Sequence, residues 1–297
     1  MKDKFKGIGC LLLTTMIWGS AFSAQSVGMD YVGPFTFQAV RCFIAVIGML
    51  PLICIADLFG GRRGRFFSLW KDKTLWRSGL LCGIPLFLAC NLQQVGLMDT
   101  GAGKSAFLTA MYVVIVPVLG LFLTKKCGKY IPVSVVISVA GLYLLSGVGG
   151  SGFQVSDLLL LGCAFMFSIQ ILMVDRFAPQ VDALRLNTIQ ALVCAVLSSV
   201  CMFFFEKPEV SSMIAGWLPL CYAGLISMGL AYGLQIIGQK NLDPAGASLL
   251  LSLEAVFAAI FAWILLKQTM SQNEIIGSIL ILIAIVIAQI PEKQAVS

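Results

Sequence analysis

The sequence predicts an all-α integral membrane protein, with ten transmembrane helices arranged as two inverted five-helix repeats. Three observations predict it. Of the 297 residues, 59% are hydrophobic and only 11% charged, against about 25% charged in ordinary soluble domains. So few charges cannot cover the surface of a water-soluble chain this long. The apolar residues fall into ten stretches, each near the ~20 residues a helix needs to cross hydrocarbon. The third observation is a repeat. Leu92-Gln93-Gln94-Val95-Gly96 and then Ala102-Gly103-Lys104-Ser105 return as Leu234-Gln235-Ile236-Ile237-Gly238 and then Ala245-Gly246-Ala247-Ser248. The first segments lie 142 positions apart and the second 143, so one residue is inserted between them.

The first stretch, 8–27, is entered from Lys2, Lys4 and Lys6. The second, 34–56, opens at Pro34 and leads into a basic loop holding Arg62, Arg63, Arg65, Lys71, Lys73 and Arg77. Stretches 77–97 and 104–123 carry the first copy of the repeated segments, and Lys125, Lys126 and Lys129 separate them from 131–148. The sixth and seventh, 155–174 and 184–205, flank Arg176 and Arg185. The eighth and ninth, 213–236 and 245–266, carry the second copy, and 274–290 closes the series. The first repeat is therefore 8–148 and the second 155–290. Five is odd, so the second unit starts from the opposite side and lies upside down to the first. Such repeats mark one class of secondary transporters, with substrate sites near the midplane between the units. No remaining stretch is long enough for a separate soluble domain.

Lys and Arg in loops set orientation, because cytoplasmic loops hold the excess. The side with the N-terminus, the even-numbered loops and the C-terminus holds 16 of them, and the other side holds Lys104, Lys207 and Lys267. Both termini are expected in the cytoplasm of a cell carrying this multi-pass protein in its cell membrane. The net charge of +6 then reflects orientation, with no nucleic-acid partner implied. A rival reading treats Lys2 to Lys6, the run from Ile8 to Trp18 and Ser20-Ala21-Phe22-Ser23-Ala24 as a cleaved secretory signal. Cleavage would leave nine spans and destroy the symmetry.

None of the ten cysteines forms a CxxC pair, and nearly all fall in spans, where Cys acts as a small apolar residue. Histidine is absent, which removes the commonest metal ligand and the usual proton shuttle. No cofactor or metal is indicated. Gly101-Ala102-Gly103-Lys104-Ser105 imitates a phosphate-binding loop, but Met98 stands where its first Gly belongs and a membrane span leads in. Lys104 is expected to snorkel to the outer interface or to meet solute at a cavity mouth.

Leu11-Leu12-Leu13-Thr14-Thr15-Met16-Ile17-Trp18-Gly19-Ser20-Ala21-Phe22 opens the chain, and Pro34-Phe35 is followed by Arg41. Ala102 to Thr109 continues through Tyr112-Val113-Val114-Ile115-Val116-Pro117, and Ala245 to Phe257 contains Glu254. In order and spacing these segments resemble the EamA-type branch of the drug/metabolite transporter superfamily over essentially the whole chain. The resemblance implies ten helices in two inverted repeats and the movement of metabolites, often outward. Two departures stand out. Ala255 replaces a frequent Pro, which implies a straighter ninth helix, and Lys267-Gln268 replaces a frequent acidic residue.

Glu254 lies ~14 Å into its span, near the centre of a ~30 Å core. A carboxylate there is costly unless paired, hydrated or protonated, so it is a candidate for coupling or, as a capping or pairing group, for structure. Arg41, ~10 Å in, is a candidate structural partner of Glu254. Polar residues recur at helical spacing in several spans: Thr14, Trp18 and Gln25; Asn91 and Gln94; Ser105, Thr109 and Tyr112; Tyr232, Gln235 and Gln239. Any one of them can be interhelical glue. As a set, Trp18, Asn91, Gln94, Tyr112, Tyr232 and Gln235 are the expected lining of a substrate cavity.

The expected function is secondary transport, by alternating access and outward, of a small metabolite such as an amino acid, with proton coupling as an option. A lipid carrier of the same superfamily is the alternative. A membrane enzyme would need clustered acids or histidines at one membrane face, which the sequence lacks. Impermeant cysteine labelling tests the topology. Positions 65 and 293 are expected to resist labelling from outside, and labelling there, or a mature N-terminus near Gln25, overturns the model of ten spans.

Overall fold

Backbone N–H and C=O groups in hydrocarbon have no water to bond, so an apolar chain must satisfy them within helices. The computed structural model describes residues 2–60, 66–100, 102–124, 128–145, 154–266, 271–288 and 290, and among these it is helical with no strand. The first half contains α1 (Lys2–Gly28), α2 (Pro34–Phe59), α3 (Phe66–Trp70), α4 (Lys73–Asp99), α5 (Ala102–Ala110), α6 (Tyr112–Thr124) and α7 (Ile131–Leu145). The second contains α8 (Val155–Phe177), α9 (Ala183–Phe205), α10 (Val210–Ala215), α11 (Trp217–Cys221), a π-helical stretch (Tyr222–Ala231), α12 (Tyr232–Gln239), α13 (Pro244–Leu251), α14 (Leu253–Leu266) and α15 (Gln272–Ala288). Eight of the helical segments are long and apolar enough to cross a membrane, and Ile131–Leu144 and Gln272–Ala288 are shorter apolar helices. Of the residues that set the expected orientation, Arg62, Arg63, Arg65, Lys125, Lys126, Lys267 and Lys293 lie outside the described residues.

Four differences from the apolar pattern stand out, two of them with a local cause. Helix α4 starts at Lys73, within the basic loop, because Asp72 accepts from Thr74 N at 2.8 Å and caps it. The eighth stretch is divided, with α11 passing into a wide π-helical coil before α12. The ninth is interrupted at Ser252 although Ala255 stands in place of Pro. Ser252 Oγ donates to the Leu249 carbonyl at 2.7 Å, a local bond that competes with the helical ladder. Met111 interrupts the fourth stretch near the equivalent level.

Ile47, Phe59, Phe122, Phe203, Phe204 and Val286 are exposed, while Gln38, Gln94, Gln170, Asn187 and Gln190 are buried. Polarity is inward, as a hydrocarbon surround requires. Helix α4 packs on α8 and α9, α2 on α9 and the π-helical stretch, α7 on α15, and α1 on α12, α14 and the π-helical stretch. Glycine permits the close approaches. A Cβ on Gly19 would lie 2.7 Å from the Ala258 nitrogen on α14, and one on Gly141 2.7 Å from the Gly277 carbonyl on α15.

Carboxylates clamp α2 and α9 at both ends. Glu206, just past α9, accepts from Phe35 N and Thr36 N at 2.8 Å each, and also from Thr36 Oγ1. At the other end Arg185, near the start of α9, pairs with Asp57 near the end of α2, both buried. Each carboxylate ends one helix and sits at the N-terminal region of its partner, where the partial charge is positive. Asp57 joins Glu254 as an acid buried within a helix, because α2 runs past its expected end at 56 to include it. Lys104, too, departs from expectation by pairing with Asp157 at 2.8 Å. Removing one partner of a buried pair leaves an uncompensated charge, a cost of about 3–5 kcal/mol. Arg185→Met is expected to lower the thermal unfolding midpoint in detergent markedly, and adding Asp57→Leu to recover most of the loss.

Candidate functional site

Eight helical segments converge on a polar cavity. Trp18, Ala21, Phe22 and Gln25 reach it from α1, Arg41 from α2, Gln93 from α4 and Tyr112 from α6. Phe167 and Ile171 come from α8, Ser227 from the π-helical stretch, Tyr232 and Gln235 from α12, and Glu254 from α14. The space left open is about 30 Å³, enough for about one or two waters and too small for a metabolite. The walls are therefore closed on one another.

The interrupted helices place the two groups that meet across it. Tyr112 is the first residue of α6, after the break at Met111, and Glu254 falls in the first turn of α14, after the break at Ser252. Tyr112 Oη donates to Glu254 Oε1 at 3.0 Å. A fresh helix N-terminus also favours negative charge at Glu254. Arg41 does not pair with Glu254. Its Nη1 donates to Gln25 Oε1 at 3.1 Å, its guanidinium carbon lies 5.8 Å from the Phe37 ring centre, and its Nε has no partner. A buried cation and a buried carboxylate thus line one cavity, each held by neutral neighbours.

The indole of Trp18 rests on the Tyr232 ring, with centroids 4.6 Å apart, and its Nε1 is unpartnered. Tyr232 Oη lies 3.6 Å from Cys90 Sγ. Gln235 is 1% exposed and donates through Nε2 to Gln170 Oε1 at 3.2 Å. Among the described residues, no group of three or more His, Cys, Asp or Glu is placed to hold a metal.

Seven residues named from sequence, Trp18, Gln25, Arg41, Tyr112, Tyr232, Gln235 and Glu254, come together at this cavity. Asn91 and Gln94 do not. Asn91 Nδ2 donates to the Phe87 carbonyl and to Ser198 Oγ, both at 2.8 Å, and so joins α4 to α9. Gln94 is fully buried away from the lining with its amide unpartnered. Their neighbour Gln93 faces the cavity instead, donating to Thr109 Oγ1 at 3.4 Å. The face chosen by spacing on α4 was thus turned by about 100°. The repeat held the better signal, because Gln93 stands 142 positions before Gln235 and the two line the cavity from opposite halves.

The profile of the EamA-like transporter family matches this chain twice, over residues 5–147 and 154–289. An "uncharacterized transporter" of Archaeoglobus fulgidus is 31% identical over 282 residues, covering 94% of this chain and 84% of its own length. The uncharacterized transporter YoaV of Bacillus subtilis is 24% identical, covering 91% of this chain and 92% of itself. A chloroplastic WAT1-related protein of Arabidopsis thaliana is 22% identical over 95% of this chain and 69% of its own length. In fold, a solved crystal structure with 22% identity superposes with a TM-score of 0.78 over 100% of this chain and 99% of its own. With its many apolar helices, its inward polarity and a family match over nearly its whole length, this multi-pass membrane protein belongs to the EamA-like transporter family.

Proposed function

We propose that the chain is a secondary transporter of a small polar or amphipathic metabolite, such as an amino acid, working outward across the cell membrane. Ten helices in two inverted five-helix repeats alternate access to a site between them, and both termini are cytoplasmic. One observation carries the reading: a closed polar cavity is lined from both halves and bridged by Tyr112 and Glu254. The repeat layout is supported by packing that survives exchange of the halves. Helix α4 lies on α8 as the π-helical stretch and α12 lie on α1, while α2 with α9 and α7 with α15 are their own counterparts. The orientation rests on the distribution of Lys and Arg between alternate loops.

A second reading, lipid carriage, draws on a different feature. An apolar groove of about 640 Å³ lies between α1, α11 and α14, walled by Leu13, Ile17, Val27, Leu218 and Phe261. Acyl chains fit such a wall, but the polar cavity does not need one. Uptake and efflux by purified protein in liposomes separate the readings, using a panel of amino acids and metabolites against fluorescent lipid scrambling.

Glu254 is the proposed coupling group, with Tyr112 as its partner. Glu254 is buried and accepts from the Tyr112 hydroxyl at 3.0 Å. In coupled transport, Glu254→Gln is expected to abolish accumulation driven by a pH gradient while sparing exchange of solute down its own gradient. Equal loss of both modes, with a lower folded yield, assigns Glu254 to structure. Intact proton-driven accumulation removes it from the mechanism.

A further inference from the structure

The amides of Asn187, Gln190, Gln170 and Gln235 form a chain with one open end. Asn187 Nδ2 donates to the carbonyls of Met228 and Gly229 at 3.1 and 2.7 Å. Those carbonyls belong to the π-helical stretch. A backbone carbonyl only accepts, so this anchor decides which atom of the Asn187 amide is nitrogen. Asn187 Oδ1 then accepts from Gln190 Nε2 at 2.9 Å, Gln190 Oε1 from Gln170 Nε2 at 3.3 Å, and Gln170 Oε1 from Gln235 Nε2 at 3.2 Å. Reversing any one amide sets oxygen against oxygen or nitrogen against nitrogen. Gln170, Asn187 and Gln190 are wholly buried and stand off the cavity, whereas Gln235 is in its wall. Among the side-chain amide atoms of these four residues, Gln235 Oε1 alone is buried without a partner.

We propose that this chain is a polarity lock on substrate choice: it engages Gln235 Nε2 and leaves the carbonyl oxygen of Gln235, its one unpartnered amide atom, for the ligand. The substrate must then bring a hydrogen-bond donor to that place, which favours a 2-amino acid over the 2-oxo acid of the same skeleton. This rests on the transporter reading above. The ammonium group of the amino acid donates three N–H bonds, and Glu254 stands in the same cavity as its counter-charge. The ketone oxygen of the oxo acid only accepts, and would face the lone pairs of Oε1. The carboxylate common to both meets donors lacking partners, Arg41 Nε and Trp18 Nε1. Gln170, Gln190 and Asn187 are positioning residues, acting on the ligand through Gln235.

Gln190→Met keeps the volume and apolar packing of the side chain but cuts the lock out of reach of the ligand. The Gln170 and Gln235 amides can then turn together, and Gln235 can offer Nε2. Counterflow in liposomes with the best-transported amino acid and its 2-oxo counterpart is the test. Wild type is expected to reject the oxo acid strongly. In Gln190→Met, oxo-acid transport relative to amino-acid transport is expected to rise at least about fivefold, with amino-acid transport falling at most about twofold. Gln170→Met is the second variant and carries the same expectation if the first fails to fold. An unchanged ratio in a well-folded variant overturns the lock. The lock can also be read without substrate, by NMR of protein labelled with ¹⁵N-glutamine, the Gln235 signal being identified by its loss in Gln235→Met. Its side-chain amide protons are expected to exchange slowly in wild type and faster in Gln190→Met, and equal rates also overturn the proposal. If wild type moves no amino acid, the transport reading fails, and the exchange rates still decide the lock.

Discussion

A polar group in hydrocarbon without a partner costs several kcal/mol, and that constraint organises the interior of this protein. Asp57 and Arg185 are tolerable in the bundle because each supplies the other's charge. Thr14, lacking a charge, reaches from α1 to the Ala231 carbonyl at 3.1 Å and ties the π-helical stretch to the first helix. The π-helical stretch in turn relies on Asn187 for two of its carbonyls. The polar groups are thus the joints of the bundle. Apolar contacts fill between them without setting register, since Leu packs on lipid about as well as on Leu.

Against that background, the cavity is where several lapses from complete pairing meet. Trp18 Nε1, Arg41 Nε and Gln235 Oε1 are left without partners around one small space. Elsewhere, Gln38, Gln94 and Gln239 also carry unpartnered atoms, but they do not converge on a space. Convergence separates a binding wall from local frustration. Unmade bonds of this kind are best completed by a ligand, and the energy they release on completion is what can drive closure around it.

Much of this was legible in the sequence because hydrophobicity and charge are read residue by residue. The long apolar runs, the intramembrane Glu254 and Arg41, and the Trp18–Tyr232 side of the cavity follow from type and spacing. What escaped depends on neighbours. Asn91 looks like a cavity residue until Ser198 claims its amide. Asp57 sits one residue past the second apolar stretch and reads as loop, until Arg185 brings it indoors. Gln93 could have been chosen over Gln94 by aligning the halves, since periodicity on a single helix fixes a face but not its direction. The break at Ser252 turns on where one hydroxyl finds its acceptor.

The two halves differ in one place that matters energetically. The π-helical stretch lies in the third long segment of the second half, Trp217–Gln239, whereas its counterpart α4 is an uninterrupted α-helix that contains Pro85. A device made of two identical inverted units would rest open to either face of the membrane with equal ease. Here one unit carries a wide π-helical coil and the other a continuous α-helix, so exchanging their roles does not return the molecule to the same energy. A difference of only about 1.4 kcal/mol tilts such a balance tenfold. In the proposed transporter, the extra width of one coil gives a nearly symmetric machine a resting side.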